Sequence, residues 1–325
     1  MSSPFPVDQI LHEAREDDFY VGHPNLVSTL RWIPAPDGRS ELLTHETAPG
    51  EHDEIALAEE VQEAFLPELK MICQIRVHGN WVRPDGHYNP ARPTTWQVGR
   101  NPVTNLVTGV GSITVGPVPP TVSPTLHGEW AVYTRNISEV MRKVLPCVSK
   151  TGFPIEESGQ TLYKLSHPWF EDRGLIDPVM SNQHPPESKD DDDSTDHGSD
   201  SGEGRPGFDF SKINNTEELE LNREPHFRTT NVPLVHPENR PTLLDAARHF
   251  SFNPLCAFMR GEAETPLRPD EYSSVLPGAI AQVTFTLSHK LIKRSKPVSH
   301  FTATIGEVQI LRRPVKTDMS PAKSS

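Results

Sequence analysis

Residues 181–207 constrain the fold of this chain more than any other stretch, because they offer nothing to bury. They hold eight acidic residues against one lysine and one arginine, and they lack valine, isoleucine, leucine, methionine and aromatic residues. Such a segment cannot offset the entropy lost on ordering, and its like charges repel each other. The sequence therefore predicts a disordered acidic linker between two folded lobes.

The patterns on either side of this linker predict an α+β, strand-rich protein. We expect the C-terminal lobe to be either OB-like or a small antiparallel sheet. The predicted divisions are an α+β domain, the acidic linker, a largely irregular segment, a small β-rich lobe with one helix, and a disordered tail, at 5–180, 181–207, 208–240, 241–316 and 317–325.

Local patterns in the first predicted domain indicate both strands and helices. A turn at Asp37-Gly38 predicts a β-hairpin from Leu26–Ile33 and Glu41–Glu46, and apolar spacing predicts a helix over Glu54–Leu66. Asn136 is a suitable N-cap for a helix with apolar residues at 137, 140, 141, 144 and 145. Further strands are predicted at Met71–His78, Thr94–Val98, Leu106–Val115 and Glu129–Thr134.

In the second lobe, two alternating segments predict a β-hairpin that follows a short helix at Thr242–Phe250. Apolar and polar residues alternate over 280–287, and the alternation resumes over 301–310, with Gly306 as a candidate bulge. The connecting turn is predicted at Lys290–Ser299.

Cysteine usage and the N-terminus predict an intracellular protein, cytoplasmic or nuclear. Cys73, Cys147 and Cys256 have no CxxC or CxH spacing, and a sparse, odd set is typical of a reducing compartment. Each cysteine is expected to be a small buried hydrophobe. The first residues lack the basic and apolar regions of a secretory signal, and no run of 18 apolar residues indicates a membrane span.

No complete catalytic motif is present, so the sequence predicts no catalytic residue, no metal and no cofactor. Asp200-Ser201-Gly202 matches the aspartic protease triplet but lies in the acidic linker, and Gly109-Val110-Gly111 has Thr114 where a dinucleotide loop needs its third glycine. No two of the 15 histidines stand four residues apart, which excludes the helical zinc motif. The enzymatic alternative is a dispersed site in the first domain made of His78, His87 and Glu129.

Positive charge is concentrated near the C-terminus of a chain whose formal net charge is −13. Residues 286–316 contain one acid, Glu307, and seven basic residues: Lys290, Lys293, Arg294, Lys296, Arg312, Arg313 and Lys316. Basic side chains neutralise phosphates and flat rings stack on bases, so these residues together with Phe301 form a candidate nucleic-acid or anion-binding site. Two alternatives stay open, namely protection of an exposed sheet edge and a nuclear import signal.

These features favour a non-enzymatic binding or scaffold protein whose partner is an anionic macromolecule, either single-stranded nucleic acid or an acidic protein. The acidic linker could compete with that partner, which would be autoinhibition, or it could be a plain spacer. Ser188 has acids at the second and third following positions and is a candidate phosphorylation site. A lineage-specific protein of no defined activity is a further alternative.

Two segments near the C-terminus carry the one resemblance to known sequences. They read PGAIAQVTFTL at 277–287 and FTATIGEVQIL at 301–311. This pattern is similar to uncharacterised predicted proteins of mushroom-forming fungi. The resemblance implies a pair of alternating strands and brings no activity with it.

Overall fold

The computed structural model of the chain describes residues 6–35, 40–45, 66–144, 149–173, 223–261, 265–293 and 296–314. The helices in these ranges are α1 (Val7–Arg15), α2 (Leu26–Thr29), α3 (Pro102–Val107), α4 (Pro124–Arg142), α5 (Arg240–Ala246) and α6 (Tyr272–Val275). Single 3-10 turns lie at Pro225–Phe227, Thr229–Asn231 and Pro237–Asn239. The strands are β1 (Leu30–Pro34), β2 (Ser40–His45), β3 (Leu69–Ile75), β4 (Val110–Gly116), β5 (Ser149–Gly152), β6 (Pro154–Glu157), β7 (Gln160–Pro168), β8 (Phe170–Asp172), β9 (Phe250–Phe252), β10 (Ala257–Met259), β11 (Ile280–Ile292) and β12 (Val298–Arg312).

The helices and strands confirm the predicted α+β, strand-rich class. Five of the strands pair with one another in a closed circuit. β3 pairs antiparallel with β4, and β4 pairs antiparallel with β7. β7 runs parallel to β12, which pairs antiparallel with β11, and β11 returns to β3. Numbered one to five along the chain, the strands pair as 1-2-3-5-4-1, which is the strand order of an OB barrel.

The five strands of the barrel come from both sides of residues 181–207 in the sequence. β3, β4 and β7 precede residue 174, whereas β11 and β12 follow residue 222. The sequence predicted separate lobes at 5–180 and 241–316, but strand pairing joins their strands in one ten-stranded sheet. The physical reason is that a strand without neighbours leaves the N–H and C=O groups of both its edges unpaired. β11 pairs these groups with β3 on one side and with β12 on the other.

Alternate residues of the two long strands fill the barrel interior, as their sequence pattern predicts. Val283, Phe285 and Leu287 of β11 are buried, and so are Phe301 and Ala303 of β12. The predicted hairpin at the N-terminus is also confirmed, because β1 pairs antiparallel with β2. β2 then pairs with β11 beyond the end of β3, which attaches this hairpin to the barrel.

α4 begins at Pro124, 13 residues before position 137, which follows the predicted N-cap Asn136. Ser123 caps it, since its Oγ accepts a hydrogen bond from the Leu126 N–H at 3.1 Å, and Pro124 fits the first turn. The predicted strand at Glu129–Thr134 is therefore wrong, and these residues form the middle of α4. Asn136 is a buried side chain whose Nδ2 donates to the Val21 carbonyl oxygen at 2.8 Å.

Other local predictions change in the structure. Thr94–Val98 forms turns instead of a strand, and the predicted strand at Leu106–Val115 begins only at Val110, after α3. Cys73 is buried as expected, but Cys256 is exposed. Several predictions lie outside the described residues: most of the helix at Glu54–Leu66, the turn at Asp37-Gly38, the acidic linker at 181–207, the first part of 208–240 and the tail at 317–325.

None of the helices in the described ranges combines the length and the apolar character needed to cross a bilayer.

Gly111 is required by close packing inside the barrel. A Cβ at this position would lie 2.5 Å from the Trp169 ring, whereas a Cβ on Gly128 of α4 would meet no atom within 4 Å. We expect Gly111→Ala to lower the free energy of unfolding by about 1–3 kcal/mol, because the indole must move. Gly128→Ala is the matched control and should raise that free energy by up to about 1 kcal/mol. Urea unfolding measures both, and equal effects of the two substitutions would contradict the packing at Gly111.

Candidate functional site

The five basic residues of the predicted site that the structure describes do not form one cluster. Lys290 is exposed and lies opposite His300, whereas Arg312 lies opposite Ile280 at the other end of the β11–β12 hairpin. Ten residues of extended strand separate these ends, which is about 33 Å. Lys293 and Lys296 flank the tip and Arg313 follows β12, while Arg294, Lys316 and Ser188 lie outside the described residues.

Phe301 does not offer a stacking surface to a ligand. Its side chain is 1% exposed and packs against the rings of Trp32 and His289 on a covered face of the sheet. The sequence placed Phe301 correctly on a strand but could not tell which face of that strand is covered. The covering element is the β1–β2 hairpin, since Trp32 belongs to β1.

Beside Phe301, a carboxylate, an imidazole and a hydroxyl form a hydrogen-bonded chain. His289 Nδ1 is 2.9 Å from Glu41 Oε2, and His289 Nε2 is 3.0 Å from Ser299 Oγ. This order of groups is that of serine hydrolases. Ser299 is only 1% exposed, however, so a substrate cannot reach its hydroxyl in this conformation. The chain of hydrogen bonds therefore ties β2 to β11 and β12.

The dispersed enzymatic site is not assembled either. Glu129 is buried in α4, where its carboxylate accepts hydrogen bonds from Arg15 and from the Tyr20 hydroxyl. His78 is exposed, and His87 lies in the loop between β3 and β4. Within the described residues, no group of three or more His, Cys, Asp or Glu side chains is arranged to hold a metal ion.

A cleft of about 430 Å³ lies on the outer face of β4 and β7. We call it the β4–β7 cleft. Its walls come from these two strands and from the loop that joins β3 to β4, and its lining side chains include Trp81, His87, Trp96, Ser112 and Lys164. In an OB barrel, strands two and three and the loop between strands one and two are the usual ligand-binding elements. β4 and β7 are the second and third strands of this barrel.

A buried carboxylate holds the first half of the loop in place. Asp85 is 1% exposed and accepts hydrogen bonds from the backbone N–H groups of Val235 and His236, at 2.7 and 2.9 Å. It also accepts one from Asn239 Nδ2 at 3.1 Å. Trp81 pairs with Ser112 through two backbone hydrogen bonds, which fixes the start of the loop on β4.

A buried amide joins the two halves of the loop. Gln97 is 2% exposed, its Oε1 accepts from the Thr94 N–H at 2.9 Å, and its Nε2 donates to the His87 carbonyl oxygen at 2.8 Å. Asn105 Nδ2 in turn donates to the Gln97 carbonyl oxygen at 3.0 Å. The segments that carry His87 and Trp96 are therefore held together without regular secondary structure.

The two tryptophan side chains of the β4–β7 cleft are exposed to solvent. Trp81 is 44% exposed and Trp96 is 52% exposed. The ring of His87 stacks on Trp81, with centroids 4.4 Å apart and an angle of 27° between the planes. Arg100 places its guanidinium carbon 5.5 Å from the centre of the Trp96 ring. Three flat rings therefore line the cleft, and Arg100 lies against one of them.

The charge of the loop is positive although the chain is acidic. Between Arg76 and Gly111 the sequence holds four arginines and no lysine, and its one acid, Asp85, is buried against backbone donors. Lys164 adds a cation from β7. Burial lowers the pKa of His87 below its ordinary value; hydrogen bonding to the Val110 backbone opposes this effect, and the charge of Lys164 adds to it.

Hydroxyl side chains form the floor of the β4–β7 cleft. Ser112 of β4 lies opposite Ser166 of β7, and Ser166 lies opposite Thr304 of β12. Ser112 Oγ is buried and has no hydrogen-bond partner. An unpaired buried hydroxyl costs free energy, so a polar ligand atom that reached it would gain a hydrogen bond.

The sequence contained a signal for this site that the charge analysis missed. The segment 76–100 reads RVHGNWVRPDGHYNPARPTTWQVGR and contains two tryptophans and four arginines among turn-forming residues. Aromatic and arginine side chains on a loop are a better indication of a binding surface than lysines at a hairpin tip, because loops carry exposed functional residues. Of the residues that the sequence analysis proposed for a site, His87 is the one that lines this cleft.

Comparisons with known proteins add no relative, since no family model, no curated protein and no solved structure matches the chain. The resemblance of residues 277–311 to fungal proteins therefore stays a prediction.

Proposed function

We propose that the protein binds single-stranded nucleic acid in the β4–β7 cleft. The observation that carries this proposal is the presence of two half-exposed indoles, Trp81 and Trp96, beside Arg100 and Lys164. Indole rings stack on bases of any sequence, and the cations neutralise phosphates. This combination supports a binding protein, as the sequence analysis favours, but at a different site from the β11–β12 hairpin.

The size of the cleft favours unpaired over paired nucleic acid. A volume of about 430 Å³ lies near the lower end of the roughly 300–1,000 Å³ typical of small-ligand sites, so it admits one or two flat rings. A base can stack on Trp81 or Trp96 only if it has left its own helical stack, which costs less in a single strand than in a duplex. The half-buried Ser166 at the floor of the cleft can accept or donate a hydrogen bond at the edge of such a base.

Fluorescence anisotropy with a labelled eight-nucleotide single strand tests this proposal. With about three phosphate contacts, the affinity should fall roughly 20-fold between 50 and 200 mM salt. A duplex of the same sequence is the control and should bind more weakly, since its bases are not free to stack. Lys164→Gln should lower the slope of log affinity against log salt by about 0.7.

Three results would contradict the proposal. The first is the absence of binding at 50 mM salt, and the second is equal affinity for the single strand and the duplex. The third is equal competition by an acidic peptide of matched charge, because that would mean the partner is recognised by charge alone and the indoles take no part.

A further inference from the structure

We infer that His87 occupies, in the free protein, the place on Trp81 that a ligand base takes on binding. This inference rests on the proposed function and names the stacking subsite within the β4–β7 cleft. The imidazole is a flat ring, 4.4 Å from the indole and inclined to it by 27°. This geometry lies close to the parallel, offset arrangement that stacked rings prefer.

The backbone of His87 and its ring are held in different ways. Its backbone is fixed, because the carbonyl oxygen accepts from Gln97 Nε2 at 2.8 Å. The ring itself is half-buried and makes one hydrogen bond, to the backbone of Val110 at the rim of the cleft. Rotation about the side-chain bonds can therefore release the imidazole to water while the loop keeps its shape.

Two further observations concern Ser112 and the shape of the imidazole. Ser112 lies directly opposite Trp81 on β4, and its Oγ is buried without a hydrogen-bond partner. The imidazole is a flat group like a nucleobase, and burial lowers its pKa, which disfavours a charge on the ring. A base that replaced the imidazole would keep the stack on Trp81, whose backbone pairs with Ser112 of β4.

The sign of the effect of removing the ring tests this inference. His87→Ala should bind the labelled eight-nucleotide strand roughly 3- to 10-fold more tightly than the wild type, because the competing stack is absent. His87→Phe keeps a flat ring on Trp81 and should bind no more tightly than the wild type. Thermal unfolding of both variants checks that the fold is retained.

The outcomes separate this inference from the proposed function. Binding by the wild type together with weaker or unchanged binding by His87→Ala overturns the inference alone, since His87 would then be part of the ligand platform or have no role. Tighter binding by His87→Phe than by His87→Ala overturns it as well. Absence of binding by the wild type and both variants overturns the proposed function and the inference with it.

Discussion

Replacing both Trp81 and Trp96 by alanine should abolish measurable binding of the single strand at 200 mM salt. Each stacked base contributes roughly 1–3 kcal/mol, so each single substitution should weaken binding by about 5- to 150-fold. Trp96→Ala also removes the ring on which Arg100 lies. Anisotropy titration of the two single variants and the double variant against the same labelled strand measures these effects.

Matched variants make this result specific to the rings. Trp81→Phe keeps a flat surface and should retain most of the affinity, and Leu244→Ala removes an exposed apolar side chain of α5 and should change nothing. Both tryptophans are half-exposed, so the fold should survive their truncation. Retention of wild-type affinity by the double variant would show that the indoles do not contact the ligand.

Asp85→Ala should lower the free energy of unfolding by about 3–4 kcal/mol. The substitution leaves three donors without their acceptor: the N–H groups of Val235 and His236 and Nδ2 of Asn239. A fully buried donor that loses its partner costs about 1–3 kcal/mol. The two backbone donors are only part-buried, so water offsets part of the sum. Urea unfolding followed by circular dichroism gives the value.

Two further substitutions bracket this result. Asp85→Asn keeps one acceptor oxygen but points its amide at a donor, so its loss should be intermediate. Glu238→Ala removes an exposed acid from the same segment and should change the free energy by less than about 0.5 kcal/mol. A loss below 1 kcal/mol for Asp85→Ala would mean that this carboxylate does not anchor the loop.

The parts of the fold that could be predicted from the sequence are those formed by neighbours in the chain. The β1–β2 and β11–β12 hairpins have partners close in sequence, and apolar alternation marks the buried face of β11. Closure of the barrel could not be predicted in this way, because it pairs Leu165 with Ala303 across the acidic stretch. Local patterns contain no information on such distant pairings.

In α4, the sequence predicts the wrong secondary structure for Glu129–Thr134. Glu129–Thr134 is rich in residues with a strand preference, and the apolar spacing after Asn136 continues a helix that begins at Pro124. Packing decided the outcome, since Trp130, Tyr133 and Ile137 are spaced at helical intervals and are all buried. Tertiary contacts of this kind override propensity.

The sequence could not place the predicted basic site on a common surface. Phe301 is buried, and the basic residues Lys290 and Arg312 lie at opposite ends of two strands. The β4–β7 cleft depends on Asp85 and Gln97, whose side chains are buried although both lie in a turn-rich, polar loop. Sequence patterns treat such residues as exposed, so they could not show that the loop is held rigid.

Photocrosslinking of the wild-type protein to a single strand that carries 5-iodouridine, followed by peptide mapping, tests the central claim most directly. The account predicts crosslinks to Trp81, Trp96 or their neighbours in the loop between β3 and β4, and their loss in the double alanine variant. Crosslinks confined to the hairpin tip around Lys290 and Lys296, with none in that loop, would contradict it.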